Sequence, residues 1–221
     1  MLAVRLSPVA DDGQYERLLA RVSPERQSKA SRFRFREDAV RTAAGELLLQ
    51  RLVGAGDGTL AFRYSDRGKP ELIGHSGVQH NISHGGRYVI CVCNDEPVGV
   101  DVEELRPVDD GLAENCFTKV EMAYLQGAAD TADRLARFYA LWTGKESYIK
   151  LTGEGLSTPL QSFAVRVEQD MAWLETEEGA MLPAALKLWK LDASHALAVC
   201  AARLPEELPV PVMTLDELLK D

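Results

Sequence analysis

The stretch GVDVEEL, residues 99–105, alternates in a way that decides how the chain is read. Val98, Val100 and Val102 fall on one side of an extended strand, and Asp101 and Glu103 fall together on the other, two residues apart. A half-buried strand often carries a solvated polar face, so two carboxylates side by side fit a wet surface as readily as a built site. A second segment bears on the choice. In DRLARFYALWTGKESYIKLTG, residues 133–153, Trp142, Glu146 and Lys150 recur at i, i+4 and i+8 and share one face of a helix. Brought to one place, Asp101, Glu103 and Glu146 make a hard all-oxygen set suited to Mg²⁺, an ion that keeps waters and tends to sit beside phosphate.

The chain has 221 residues, enough for one sizeable core or two small ones. Its N-terminal MLAVRLSPVADDG meets acids and glycine too early for a secretory h-region, and no apolar run approaches the roughly 18 residues of a membrane span. Four cysteines form no secreted disulfide framework: Cys91 and Cys93 alternate in an apolar strand, and Cys116 and Cys200 stand alone. These features predict a cytoplasmic protein with no membrane partner. The net charge of -9 argues against a nucleic-acid binder. The charge is uneven, however. From Arg17 to Arg51 there are nine bases against four acids, a block that suits either two wet helix faces or a small polyanion.

Periodicity predicts a turn and helix over residues 6–22, with Leu18, Leu19 and Val22 inward. A second helix is capped by Ser23 with Pro24 in its first turn. A strong amphipathic helix over residues 36–54 closes at Gly54. RYVICVCNDEPVGVDVE reads as a hairpin turning at residues 94–97. The second half repeats helix then strands, with QSFAVRVEQ, ALKLWKLD and HALAVCAA antiparallel. The expected fold is α+β: two similar lobes, residues 1–104 and 105–221, each an antiparallel sheet packed on a long helix.

GVDVEELRP followed by FYALWTGKESYIKLTGEGL resembles the paired signature of the 4'-phosphopantetheinyl transferase superfamily, G-(V/I)-D-(V/I)-E and then W-x-x-K-E-x-x-x-K. SPERQSKASRF, REDAVRT, RGKPEL and NISHGGRYV follow the order of its long, surfactin-synthetase-activating bacterial form. The resemblance covers essentially the whole chain. It implies a monomeric pseudo-dimer of two lobes with coenzyme A and Mg²⁺, for which Mn²⁺ can substitute, in the cleft between them. It also implies transfer of the phosphopantetheine arm of coenzyme A to a serine of a peptidyl, acyl or polyketide carrier protein, releasing 3',5'-ADP.

Carried over by residue, the resemblance makes Asp101, Glu103 and Glu146 the metal ligands. Glu146 is then also the base for the serine, directly or through water, and Lys150 lies on the pyrophosphate. It places Arg26, Lys29, Arg41 and Thr42 by the 3'-phosphate, and Lys69, Ser83 and His84 on the nucleotide. The carrier is expected on the second lobe, at Phe117, Met122, Tyr124 and the loop over residues 152–160. Two positions depart from the pattern. Arg26 stands where relatives carry Lys, and Arg67 precedes Gly68-Lys69-Pro70 where an aromatic occurs, which leaves adenine stacking without an assigned residue.

Overall fold

The computed structural model describes residues 1–6, 10–56, 58–66, 68–169 and 171–220, leaving out the side chains of Asp110 and Leu156. The turn expected over residues 7–9 and the position of Arg67 therefore lie outside the described residues. The chain forms two compact units, Met1–Glu96 with Glu207–Asp221, and Pro97–Glu206.

The first unit contains strand β1 (Leu2–Arg5) and helices α1 (Asp12–Ala20), α2 (Pro24–Ala30) and α3 (Arg36–Val53). A short hairpin, β2 (Phe62–Tyr64) and β3 (Pro70–Leu72), precedes β4 (Gln79–Gly85) and β5 (Tyr88–Asn94). The helix starts and stops follow from local chemistry. Ser23 accepts the amide of Arg26 at the head of α2, and Gly54 ends α3 in the left-handed region at φ 67°. Helix α3 buries Val40, Ala43, Ala44, Leu47 and Leu48 in one core with Val4, Val89 and Cys91 of the sheet.

The second unit begins with β6 (Val98–Glu104), then α4 (Asp110–Cys116), α5 (Lys119–Gln126) and the 22-residue α6 (Thr131–Thr152). A hairpin of β7 (Phe163–Glu168) and β8 (Met171–Thr176) follows, and then β9 (Ala185–Asp192) and β10 (His195–Ala201). Returning to the first unit, β11 (Val212–Thr214) and α7 (Leu215–Leu218) end the described chain.

Both long helices pack on sheets, as the α+β expectation requires. The sheets are β11-β1-β5-β4, antiparallel except where β1 meets β11, and the wholly antiparallel β6-β10-β9. The hairpin expected of β5 and β6 does not form: β5 pairs with β1 and β4, and β6 pairs along its whole length with β10. The unit boundary accordingly falls before β6, at residues 96–97 rather than 104–105, and residues 207–221 belong to the first unit. A short turn licenses a hairpin, but the partner that buries more of an all-apolar strand wins.

Candidate active site

Strand β6 is buried on both faces, so the wet-surface reading of its acids fails; Asp101 is only 3 % exposed. Its neighbours on β10 explain why the acids face no counter-charge from the sheet. Asp101 lies opposite Ala198 and Glu103 opposite Ala196, small side chains on the same face.

The groups that do face the acids come from α6. Four helical residues rise about 6 Å and two strand residues about 6.7 Å, so an i, i+4, i+8 face stays in register with every second residue of a strand. Trp142 hydrogen-bonds Glu103. One turn on, Glu146 interacts with Asp101, and Lys150 Nζ donates to Asp101 Oδ1 at 2.6 Å. A further step brings Gly99 against the helix backbone: a Cβ there would lie 1.9 Å from the Ser147 carbonyl oxygen and 2.5 Å from the Leu151 amide nitrogen. Only glycine permits this approach, and the approach is what sets the acids beside Glu146 and Lys150.

Crowding like charges in a half-buried place raises carboxyl pKa values. Glu103 is pushed up to about 7, first by burial and then by Asp101 and Glu146, against the pull of Lys150 and the Trp142 hydrogen bond. Glu146 is also raised, by burial and then by Asp101, with Lys150 opposing. Among the described residues no three His, Cys, Asp or Glu side chains converge closely enough to hold a metal ion as they stand. The donor chemistry nonetheless fits Mg²⁺: three carboxylates, those of Glu103 and Glu146 pushed up by burial and by Asp101, with one ammonium on Asp101.

The predicted nucleotide residues fall into two groups along β4. At one end, Arg26 and Lys69 both act electrostatically on His80. Arg26 donates from Nε to Glu46 Oε2 at 2.9 Å, and its guanidinium lies over the Phe62 ring. Lys69 is half-buried, which lowers its pKa, and Lys29 is exposed on the last turn of α2. At the other end, Arg41 Nε and Nη2 donate to the Gly86 carbonyl and Nη1 to Asp38, which anchors the β4–β5 turn to α3; Thr42 follows it. Ser83 is buried and His84 exposed on the strand between.

Two contributions, those of Lys145 and His80, had no individual sequence signal. Lys145, inside the W-x-x-K-E pattern, is fully buried, 3.0 Å from Glu121 and donating to the carbonyls of Leu160 and Phe163. His80 is buried, and Lys69 and Arg26 act on it electrostatically. Phe117, expected to meet the carrier, is 2 % exposed and packs edge-on against Phe138.

Residues 97–200 match the family described as the 4'-phosphopantetheinyl transferase superfamily, and residues 8–96 match the N-terminal 4'-phosphopantetheinyl transferase family. The chain belongs to the 4'-phosphopantetheinyl transferase superfamily, in the branch typified by Sfp. It is 35 % identical over 210 residues to the 4'-phosphopantetheinyl transferase Sfp of Bacillus subtilis strain 168, covering 92 % of each chain. It is 33 % identical to the 4'-phosphopantetheinyl transferase psf-1 of Bacillus pumilus, over 99 % of this chain and 97 % of that one. A holo-[acyl-carrier-protein] synthase structure from Thermotoga maritima is 21 % identical, with a TM-score of 0.39 over 48 % of this chain and 64 % of that chain. The chain is thus an enzyme that transfers phosphopantetheine from coenzyme A to a carrier protein. Among the described residues no helix is long and apolar enough to cross a membrane.

Proposed function

We propose that Asp101, Glu103 and Glu146 hold the Mg²⁺ of this transferase, and that Glu146 and Lys150 act on the reacting groups. The observation that carries the reading is the register of α6 on β6, which faces Trp142, Glu146 and Lys150 with Glu103 and Asp101. When bound, the ion supplies charge neutralisation for pyrophosphate oxygens that gain negative charge in transfer. The acceptor serine hydroxyl attacks the pantetheine-linked phosphorus, the bond to 3',5'-ADP breaks, and the serine proton passes to Glu146. The position of Glu146 supports that role, since it faces Asp101 one helical turn before Lys150. Lys150 is placed to leave Asp101 for the pyrophosphate and stabilise the transferring group.

Arg26, Lys29 and Lys69 are read as cations for the 3'-phosphate and nucleotide, with Ser83 and His84 as further contacts. Arg41 enters differently from the expectation: its guanidinium is committed to Gly86 and Asp38, so it acts by holding the turn after His84, while Thr42 is read as a contact for the 3'-phosphate. The carriers best suited are peptidyl and polyketide carrier domains of antibiotic-type synthetases, with the fatty-acid carrier as a further substrate. A monomeric, cytoplasmic enzyme completes the reading; four free thiols, three of them buried, suit a reducing compartment.

The test is the intact mass of an apo peptidyl carrier domain after incubation with coenzyme A and Mg²⁺. Wild type adds one phosphopantetheine. Glu146→Gln and a metal-free reaction leave the carrier unmodified, while Asp101→Asn and Glu103→Gln weaken Mg²⁺ binding measured by titration calorimetry. Full activity of Glu146→Gln, or unchanged Mg²⁺ affinity in both ligand variants, would refute the assignment.

A further inference from the structure

Helix α3 carries a carboxylate that solvent does not reach. Glu46 is 0 % exposed and meets the head of α2. It accepts three hydrogen bonds there: the Ser23 amide at 2.6 Å on Oε1, and the Ser23 hydroxyl at 3.0 Å and Arg26 Nε at 2.9 Å on Oε2. Burying an ionised carboxylate is costly. Capping α2 does not call for it, because the Ser23 hydroxyl itself accepts the Arg26 amide.

The way Arg26 is held is unusual for a buried ion pair. A guanidinium and a carboxylate commonly meet through two parallel N–H groups. Here Glu46 takes only Nε, and the guanidinium lies over the Phe62 ring, 5.9 Å from its centre. Among the described residues neither Nη atom of Arg26 makes a hydrogen bond, and neither is sealed from solvent. The terminal edge of the guanidinium, with parallel N–H groups on Nη1 and Nη2, is left for a ligand that offers two adjacent oxygens. Arg41 in the same basic block shows the contrast, since it spends Nε and both Nη atoms on Gly86 and Asp38. Lys69 acts with Arg26 on His80, which puts a second cation at the same end of β4.

We infer that Glu46 is a positioning residue of the coenzyme A site: it locks Arg26 through Nε so that Nη1 and Nη2 meet two oxygens of the ribose 3'-phosphate, and so sets a preference for 3'-phosphorylated nucleotides. The inference rests on the assignment of Arg26 to the 3'-phosphate made above. A guanidinium already fixed by a carboxylate on one edge and a ring on one face loses little freedom when a phosphate arrives. Lysine could not serve in the same way, because its single nitrogen cannot hold Glu46 and also present a planar fork. Arginine at position 26, a departure from the resembled pattern, and the buried Glu46 therefore belong together.

The experiment is titration calorimetry of the full chain with 3',5'-ADP and with 5'-AMP, which differ only in the 3'-phosphate, thermal melts checking that each variant folds. Wild type binds 3',5'-ADP the more tightly. In Glu46→Gln the amide oxygen still accepts the Ser23 amide and the amide nitrogen donates to the Ser23 hydroxyl, but that nitrogen cannot accept Arg26 Nε. Glu46→Gln weakens 3',5'-ADP about tenfold and leaves 5'-AMP unchanged. In an Arg26→Ala background the same substitution changes neither affinity. Arg26→Lys keeps the charge, loses the fork and also lowers the ratio of the two affinities, so it carries the test if Glu46→Gln does not fold. Equal weakening of both nucleotides by Glu46→Gln would make Glu46 a structural residue only and overturn the inference. An undiminished ratio in either variant, or a further loss of 3',5'-ADP affinity in the Arg26→Ala background, overturns it as well. A wild type that binds 3',5'-ADP no better than 5'-AMP removes the 3'-phosphate assignment beneath it.

Discussion

His80 carries a charge state dictated by its surroundings. Burial first, and then Lys69 and Arg26, lower its pKa to about 4. The unfolded chain binds a proton near pH 6.5 and the folded one does not until about 4, so stability is fully present above 6.5 and lost as pH falls through that window. Against His80→Phe, which can pack on Phe62, wild type should lose on the order of 2 kcal/mol more stability between pH 7 and 4.5. Urea unfolding at the two pH values measures this, and parallel losses would dismiss it. Lys145 and Glu121 are the second residue-scale case. Glu121 accepts from Thr118 and from the Val165 amide as well as pairing with Lys145, and both side chains are fully buried. Lys145→Met leaves that carboxylate buried without its counter-ion and should cost about 3 to 5 kcal/mol. Lys145→Met with Glu121→Leu should recover part of the loss. A single variant as stable as wild type in urea would show the pair to be dispensable.

Between elements, the contact of α6 with β6 decides the site. Gly99→Ala places a methyl group into the Ser147 carbonyl, so helix and strand must separate. We expect a lower melting temperature and loss of transfer together; Lys150→Ala, which removes the ammonium held by buried Asp101, should also lose transfer and lower the melting temperature. Normal activity in Gly99→Ala would show that the close approach is not needed. The start of α3 yields an opposite trend. Phe35→Ser should stabilise the protein by about 0.5 to 2 kcal/mol through the new cap, read as a rise in melting temperature. A neutral or lower value would mean the ring packs better than its exposure indicates.

On the scale of the whole molecule, the first unit is closed by the last described segment. Strand β11 pairs in parallel with β1, and Leu215 and Leu218 enter its core, 2 % exposed each. Removing residues 207–221 therefore exposes apolar surface and an edge of β1. Amide exchange should quicken in β1 and α3 and leave α6 and β6 little changed, since these belong to the other unit. Uniform acceleration would instead mean that the two units unfold as one.

Local patterns in the chain were enough for several helix ends, because caps and glycine stops act within a few residues: Ser23 and Gly54 each sit where they were read. The i, i+4, i+8 face of α6 and the two acids of GVDVE were legible for the same reason, since periodicity is a property of one element. Which strand lies beside β6 was not, because pairing depends on burial over a distance in sequence, and β10, about a hundred residues away, outcompetes the adjacent β5. The burial of Lys145, the neutrality of His80 and the commitment of Arg41 to the Gly86 carbonyl were likewise decided only by tertiary structure. A charged residue's letter states its capacity, while the solvent and neighbours left to it by packing determine whether that capacity holds the fold or meets a ligand.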